Sequence, residues 1–200
     1  MTLAIVDYGV GNLGSVGRAF RRLGADFRLT SDPAVIRSAD LLVLPGVGHF
    51  GESMRNLKGR GLEAPLRAAL ERGAKLLGIC VGFQMLFERS EEAPGVEGLG
   101  LLPGEVKAFP SDLVVPHVGW NQLESPTGGS LLEGVSSGDY FYFLHSYYVA
   151  AGDERVVFAS TEYGGWFCSV GGAGRVAGIQ FHPEKSQALG LRVLSNFVTS

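Results

Sequence analysis

Lys75-Leu76-Leu77-Gly78-Ile79-Cys80-Val81-Gly82-Phe83-Gln84 is the stretch that decides how this chain folds. Lys75–Ile79 is an apolar run of strand length, the pattern of a parallel strand buried on both faces. The residues after Cys80 open a helix. Between them stands Gly-x-Cys-x-Gly, the strand-turn-helix elbow. There a nucleophile sits on strained backbone, and the residues two before and two after it must be small. A thiol at this point lies on the carboxyl edge of the sheet with a helix N-terminus aimed at it. The helix dipole and any nearby imidazole favour its reactive thiolate form. The N–H of Val81 is placed to donate to an oxyanion. A free cysteine is more often a small buried hydrophobe, but glycines at both required positions reverse that reading for Cys80. Cys168, in Trp166-Phe167-Cys168-Ser169-Val170, has no such context and reads as packing.

Upstream of the elbow, short apolar runs alternate with amphipathic segments. Leu3-Ala4-Ile5-Val6, Phe27-Arg28-Leu29-Thr30 and Leu41-Leu42-Val43-Leu44 read as strands. Asn12 is placed to cap a helix running to about Leu23, with Val16, Ala19, Phe20 and Leu23 on one face, and Gly24 stops it. A helical pattern covers roughly Leu62 to Arg72. This alternation predicts a parallel sheet with right-handed crossovers. Downstream of about Gly95 the pattern turns β-rich: Glu105–Phe109, His117–Leu123, Tyr140–Val149, Val156–Thr161 and Trp166–Val170 are separated by Gly- or Pro-rich turns. They extend the sheet in mixed or antiparallel fashion. Arg175–Phe181 is one more strand and Ala188–Val198 a closing helix. The expected fold class is α/β: a mainly parallel central sheet flanked by helices, with a β-rich C-terminal half. No linker or repeat divides residues 1–200, so one domain is expected.

A thiolate nucleophile needs a general base, usually histidine, held by a third group. Of the four histidines, His182 in Gly178-Ile179-Gln180-Phe181-His182-Pro183-Glu184 is the best placed. Residues two apart on an extended chain share a side, so Glu184 can orient His182 while Pro183 stiffens the link. Pro45-Gly46-Val47-Gly48 follows a strand and so lies on the same carboxyl edge. Its N–H groups supply a second oxyanion donor, or the segment is a plain strand-to-helix turn; the residues alone leave both open.

Composition removes other classes. A net charge of −3 lacks the basic excess of a nucleic-acid binder. No apolar run approaches the roughly 20 residues that span a bilayer, and MTLAIVDYGV has no basic leader region. Two cysteines are too few for a disulfide framework or a four-thiolate zinc site, and the expected compartment is a reducing cytoplasm. No metal and no cofactor are expected.

PGVG, GICVGFQ and GIQFHPE, in this order, resemble the class I (triad) glutamine amidotransferases over nearly the whole chain. The resemblance implies that Cys80 attacks the side-chain amide of L-glutamine, with His182 as acid/base and Glu184 as its orienter. It implies an oxyanion region of Val47, Gly48 and Val81, with Gln84 and Glu92 near the bound glutamine. Asp7-Tyr8-Gly9-Val10-Gly11-Asn12-Leu13, Pro116-His117-Val118-Gly119-Trp120-Asn121 and Tyr142-Phe143-Leu144-His145-Ser146-Tyr147 are similar to one branch, the glutaminase subunits of imidazole glycerol phosphate synthase. His182-Pro183-Glu184-Lys185-Ser186 carries the same likeness. That branch binds glutamine through the segment here His145, Ser146 and Tyr147. It passes ammonia to a separate (β/α)₈ cyclase subunit, which Asn12, Trp120 and Lys185 would face. His49, after the PGVG turn, departs from the small residue more frequent there and bears on how this loop moves. The paired Gly46 and Gly48 imply a flexible loop that partner binding aligns.

Other readings stand against this one. Gly9-x-Gly11-x-x-Gly14 with Asp32 satisfies a dinucleotide-binding spacing, but in a glycine-rich chain the spacing is easily met and no second βαβ half is evident. A stand-alone cysteine hydrolase leaves Gln84 and the P-H-V-G-W-N segment without a job. The glutaminase subunit of pyridoxal phosphate synthase usually has G-G-E-S where this chain has Gly46-Val47-Gly48-His49. An inert docking scaffold would not need an intact Cys, His and Glu set.

Overall fold

The protein is described by a computed structural model covering residues 1–127 and 129–200. Its first half runs β1 (Leu3–Val6), α1 (Leu13–Arg22), β2 (Phe27–Thr30), α2 (Pro33–Ser38), β3 (Leu41–Gly46), α3 (Phe50–Gly59), α4 (Glu63–Glu71) and β4 (Lys75–Cys80), closing on a single-turn α5 (Val81–Gln84). Its second half runs β5 (Arg89–Ser90), β6 (Gly104–Ala108), β7 (His117–Gln122), β8 (Tyr140–His145), β9 (Tyr147–Ala151), β10 (Val157–Glu162), β11 (Trp166–Ala173), β12 (Val176–Ile179) and α6 (Gln187–Thr199).

The continuous apolar runs are buried on both faces: every residue of β1 and β3 is buried. They lie in a ten-stranded sheet ordered β2-β1-β3-β4-β12-β11-β9-β6-β5, with β10 paired to β11. From β2 to β12 neighbouring strands are parallel. Beyond β12 the pairing turns antiparallel through β11, β9 and β6. The helices cover this sheet with their apolar faces. On α1, Val16 and Phe20 are fully buried, each stabilising the fold by about 1.5–3 kcal/mol. The insertion of β12 beside β4 matters most for chemistry. Gly178 pairs with Gly78 and Ile179 with Ile79, so the segments beginning at Cys80 and Gln180 leave the sheet side by side at its carboxyl edge.

Several details differ from the sequence-based expectations. The run Tyr140–Val149 is not one strand. Ser146 interrupts it; β8 pairs with β7 in a separate two-stranded sheet, while β9 enters the large sheet. Asn12 occupies the cap position of α1, but its side chain makes no capping bond. The sequence reading also lacked α2 and α3. Asp32, the acid of the dinucleotide spacing, caps α2 by accepting from the Ala34 N–H at 2.8 Å. His49 caps α3: its Nδ1 accepts from the Gly51 N–H at 3.0 Å, a cap outside the usual Ser, Thr, Asp and Asn set. Among the described residues, no helix is long and apolar enough to cross a membrane.

Candidate active site

Cys80 ends β4 with φ 55° and ψ −112°, a conformation a side-chain-bearing residue adopts only when its surroundings enforce it. Those surroundings are glycine contacts. A Cβ on Gly82 would lie 1.8 Å from the Leu44 carbonyl oxygen, and one on Gly78 would lie 2.6 Å from the Gly82 oxygen. The elbow therefore works as the spacing required. The helix after it is a single turn, however, so it contributes little macrodipole.

The thiol's titratable neighbour is His182. Its Nδ1 is 2.9 Å from Glu184 Oε1, and both side chains are almost wholly buried. Burial opposes the imidazolium, but the bonds and charges of Cys80 and Glu184 outweigh it and raise the His182 pKa. Glu184 does not reach His182 along an extended strand, as sequence alternation implied. His182 is extended (φ −95°, ψ 99°), and Pro183–Lys185 then forms a 3₁₀ turn that folds the carboxylate back. The His182 N–H donates to the Tyr142 carbonyl at 2.8 Å, so the segment has left the main ladder, as Pro183 requires.

Cys80, Val81, Val47, Gly48, Gln84, Glu92, His145, Ser146, Tyr147 and His182 line one cavity of about 240 Å³ together with Pro116 and Leu144. That is below the roughly 300–1,000 Å³ of pockets for drug-sized ligands and suits a small polar metabolite. Its floor is hydrogen-bonded throughout. Gln84 Nε2 donates to the Tyr147 carbonyl at 2.9 Å and to Gln180 Oε1 at 3.1 Å, while Gln180 Nε2 points to Cys80 Sγ at 3.8 Å. Glu92 Oε2 accepts from the Phe50 N–H at 2.6 Å, leaving its other oxygen for the cavity. Among the described residues, no group of three or more His, Cys, Asp or Glu side chains is arranged to hold a metal ion.

The Pro45–Gly48 loop is only half as free as its two glycines implied. Gly46 belongs to β3, and a Cβ there would lie 2.5 Å from the Gly82 nitrogen; it is a close-packing site, not a hinge. Gly48, at φ +88° with open space around it, keeps that freedom. Tyr8 fastens the root of the loop by donating from its buried hydroxyl to the Pro45 carbonyl at 2.7 Å. Sequence reasoning quoted Tyr8 and Gln180 within motifs but gave them no role. Gln180 stands two residues before His182, and that spacing was the available signal. Trp120 and Lys185 both meet Tyr142: the indole at 6.0 Å edge-on and the ammonium 5.3 Å from the ring centroid. Trp120 is exposed, while Asn12 is half-buried at the start of α1.

The family profile described as "Glutamine amidotransferase class-I" matches residues 4–200. The chain is a class-I glutamine amidotransferase. This family member is 51% identical over 195 residues to the imidazole glycerol phosphate synthase subunit HisH of Moorella thermoacetica, covering 98% of this chain and 93% of that one. It is 48% identical to the subunit of the same name from Methanothermobacter thermautotrophicus, covering 98% and 97%. Among solved structures, its fold matches one described as a glutamine amidotransferase with a TM-score of 0.77 at 21% identity, covering 98% and 96% of the two chains. The structure of PurLQS from Thermotoga maritima matches with a TM-score of 0.72 at 20% identity, over 98% and 97%. The amidotransferase fold thus persists where most of the sequence has diverged.

Proposed function

We propose that this amidotransferase is the glutaminase subunit of an imidazole glycerol phosphate synthase. In this reading residues 1–200 act as one domain in the cytoplasm, and a separate (β/α)₈ cyclase subunit receives the ammonia. The observation that carries the chemistry is the strained Cys80 opposite the buried His182–Glu184 pair, with Cys80 and His182 opening into a cavity sized for one amino acid. The likeness to HisH subunits over nearly their whole length supports the choice of partner.

L-Glutamine lies with its carboxamide over Cys80 and its α-ammonium toward the free oxygen of Glu92. Ser146 and Tyr147 form the edge along which the substrate backbone lies. The Cys80 thiolate attacks the carboxamide carbon, and the carbonyl oxygen becomes an oxyanion held by the N–H of Val81 and the Val47-Gly48 loop. His182 gives its proton to the amine nitrogen, the C–N bond breaks, and ammonia leaves a glutamyl thioester on Cys80. Water then attacks the thioester as His182 takes its proton, the C–S bond breaks, and glutamate departs. The cyclase uses the ammonia to form imidazole glycerol phosphate and an aminoimidazole carboxamide ribonucleotide. Trp120, Lys185 and Asn12 face that partner.

Glutamate release by the purified chain, alone and with a cyclase carrying its ribonucleotide ligand, tests this reading. Strong hydrolysis in the loaded mixture is expected. The Cys80→Ser variant should lose glutamine-dependent synthesis and keep ammonia-dependent synthesis. Hydrolysis indifferent to the partner would reject the coupling, and none in any mixture would reject the activity.

A further inference from the structure

Two buried histidines, one lining the cavity and one behind it, take no part in the catalytic steps, yet every proton on them is fixed by their neighbours. Asn121 settles one end. Its Oδ1 accepts from the Gln122 N–H at 2.8 Å, and its Nδ2 donates to the Glu162 carbonyl at 2.9 Å, so two backbone groups determine which way the amide points. The other Nδ2 hydrogen faces His117 Nε2 at 3.2 Å, and that nitrogen must therefore be the acceptor. Tyr147 settles the other end: its carbonyl only accepts, so His145 Nδ1, at 2.8 Å, carries a proton. The contact of 3.0 Å between His117 Nδ1 and His145 Nε2 then has one solution, with His117 donating.

We infer that Asn121, His117 and His145 form a one-directional hydrogen-bond chain that holds the Ser146–Tyr147 edge in register with Cys80, making His117 a positioning residue for glutamine binding. A proton added to either imidazole would set two N–H groups against each other. Burial keeps both rings neutral, pushing His117 down to about 4 and His145 to about 3. The His117 ring is also clamped, stacked on Tyr163 at 4.0 Å and on Phe143 at 5.1 Å. The chain ends on the same Tyr147 carbonyl that Gln84 of the elbow helix binds from the other side. Both lone pairs of that oxygen are thus occupied, one from the nucleophile's helix and one from the histidine chain. One residue upstream of His145, the Leu144 carbonyl lies 3.8 Å from Cys80 Sγ. What the edge holds rests on the glutaminase reading; the chain itself does not.

The test compares wild type, His117→Phe and His117→Gln in glutamate release with the ligand-loaded cyclase. Phenylalanine keeps the stacked ring and breaks both bonds. Glutamine can accept from Asn121 and donate to His145. Losing the buried bonds that orient the cradle should raise KM for glutamine about tenfold in His117→Phe with kcat within about twofold. His117→Gln should return KM to within about threefold of wild type. An unchanged KM in His117→Phe, equal impairment in both variants, or a fall in kcat as large as the rise in KM would overturn the positioning role. Imidazole ¹⁵N NMR of the wild-type chain decides the chain independently of activity, even if a variant fails to fold or wild type proves inactive. Both rings should be neutral and protonated on Nδ1 at pH 7, and an Nε2-protonated or charged ring at either position would refute it. A wild type that releases no glutamate would instead count against the glutaminase reading.

Discussion

Replacing Glu184 by glutamine isolates the charge behind His182, the proposed acid/base. The amide keeps the shape and an acceptor for His182 Nδ1–H, so the 2.9 Å contact can persist without its ionic character. A charge-assisted bond contributes about 1.5–3 kcal/mol against about 0.5–1.5 for a neutral one. Two charges about 4 Å apart interact by about 4 kcal/mol at an effective dielectric of 20, a ceiling on what is lost. The imidazolium is therefore destabilised by about 1–4 kcal/mol, which lowers kcat/KM by roughly 5- to 1,000-fold. The same loss lowers the His182 pKa, because the carboxylate is one of the groups that raise it. The assay is glutamate release across pH in the ligand-loaded mixture, where the alkaline limb should shift to lower pH. The fold should hold. Glu184 Oε2 has no hydrogen-bond partner among the described residues, so the new amide NH₂ breaks no existing bond, and the loss of about 1–4 kcal/mol from the ion pair should lower the melting temperature by about 2–16 °C. A variant within threefold of wild type, or an unmoved alkaline limb, would refute the role of the carboxylate.

Other outcomes rest on single contacts. Gly82→Ala places a Cβ 1.8 Å from the Leu44 oxygen and should cost at least about 1–3 kcal/mol, or about 2–12 °C in melting temperature, with loss of glutaminase; a variant as stable as wild type would undo the account of the elbow. Asp32→Ala removes the α2 cap, costs about 1 kcal/mol and leaves glutamate release unchanged, whereas lost activity would mean that Asp32 does more than cap. Because His117 and His145 titrate lower folded than unfolded, the unfolded chain binds more protons below about pH 6.5. Stability measured by urea unfolding should therefore fall on acidification, by about 2 kcal/mol per imidazole at pH 5, and the fall should shrink in His117→Gln. His182 acts at the other end of the scale. Its raised pKa contributes stability fully below about 6.5, and that contribution fades as pH rises through the raised value.

The parallel half of the sheet and the elbow were legible because they rest on local signals: apolar runs of strand length and glycines where backbone touches backbone. The Tyr140–Val149 run misled because aromatic residues stand on both sides of the chain there, which hides the alternation, and Ser146 alone marks the change of sheet. Helix α3 escaped because histidine, a rare cap, begins it and glycines lie near both its ends. His182 and Glu184 meet through a 3₁₀ turn rather than along the extended strand that the alternation implied, since proline can as readily open such a turn as stiffen a strand. The direction of the bonds through His117 lay beyond sequence, because the backbone groups that fix it, at Glu162 and Tyr147, come from other strands.

The strand order also sets a timetable for synthesis. Strand β12 inserts between β4 and β11, and Gln180, which touches the thiol, is 100 residues beyond Cys80. At about 5–20 residues per second, a ribosome needs roughly 5–20 s to cover that distance. Throughout that interval β4 can pair only with β3, so its other side is an open edge, the kind of template on which chains aggregate. The cysteine, by contrast, has neither its imidazole nor its amide neighbour. A nascent chain of this enzyme is therefore chemically quiet and physically adhesive, and what it needs from the cell while being made is shielding of a strand edge rather than protection of a thiol.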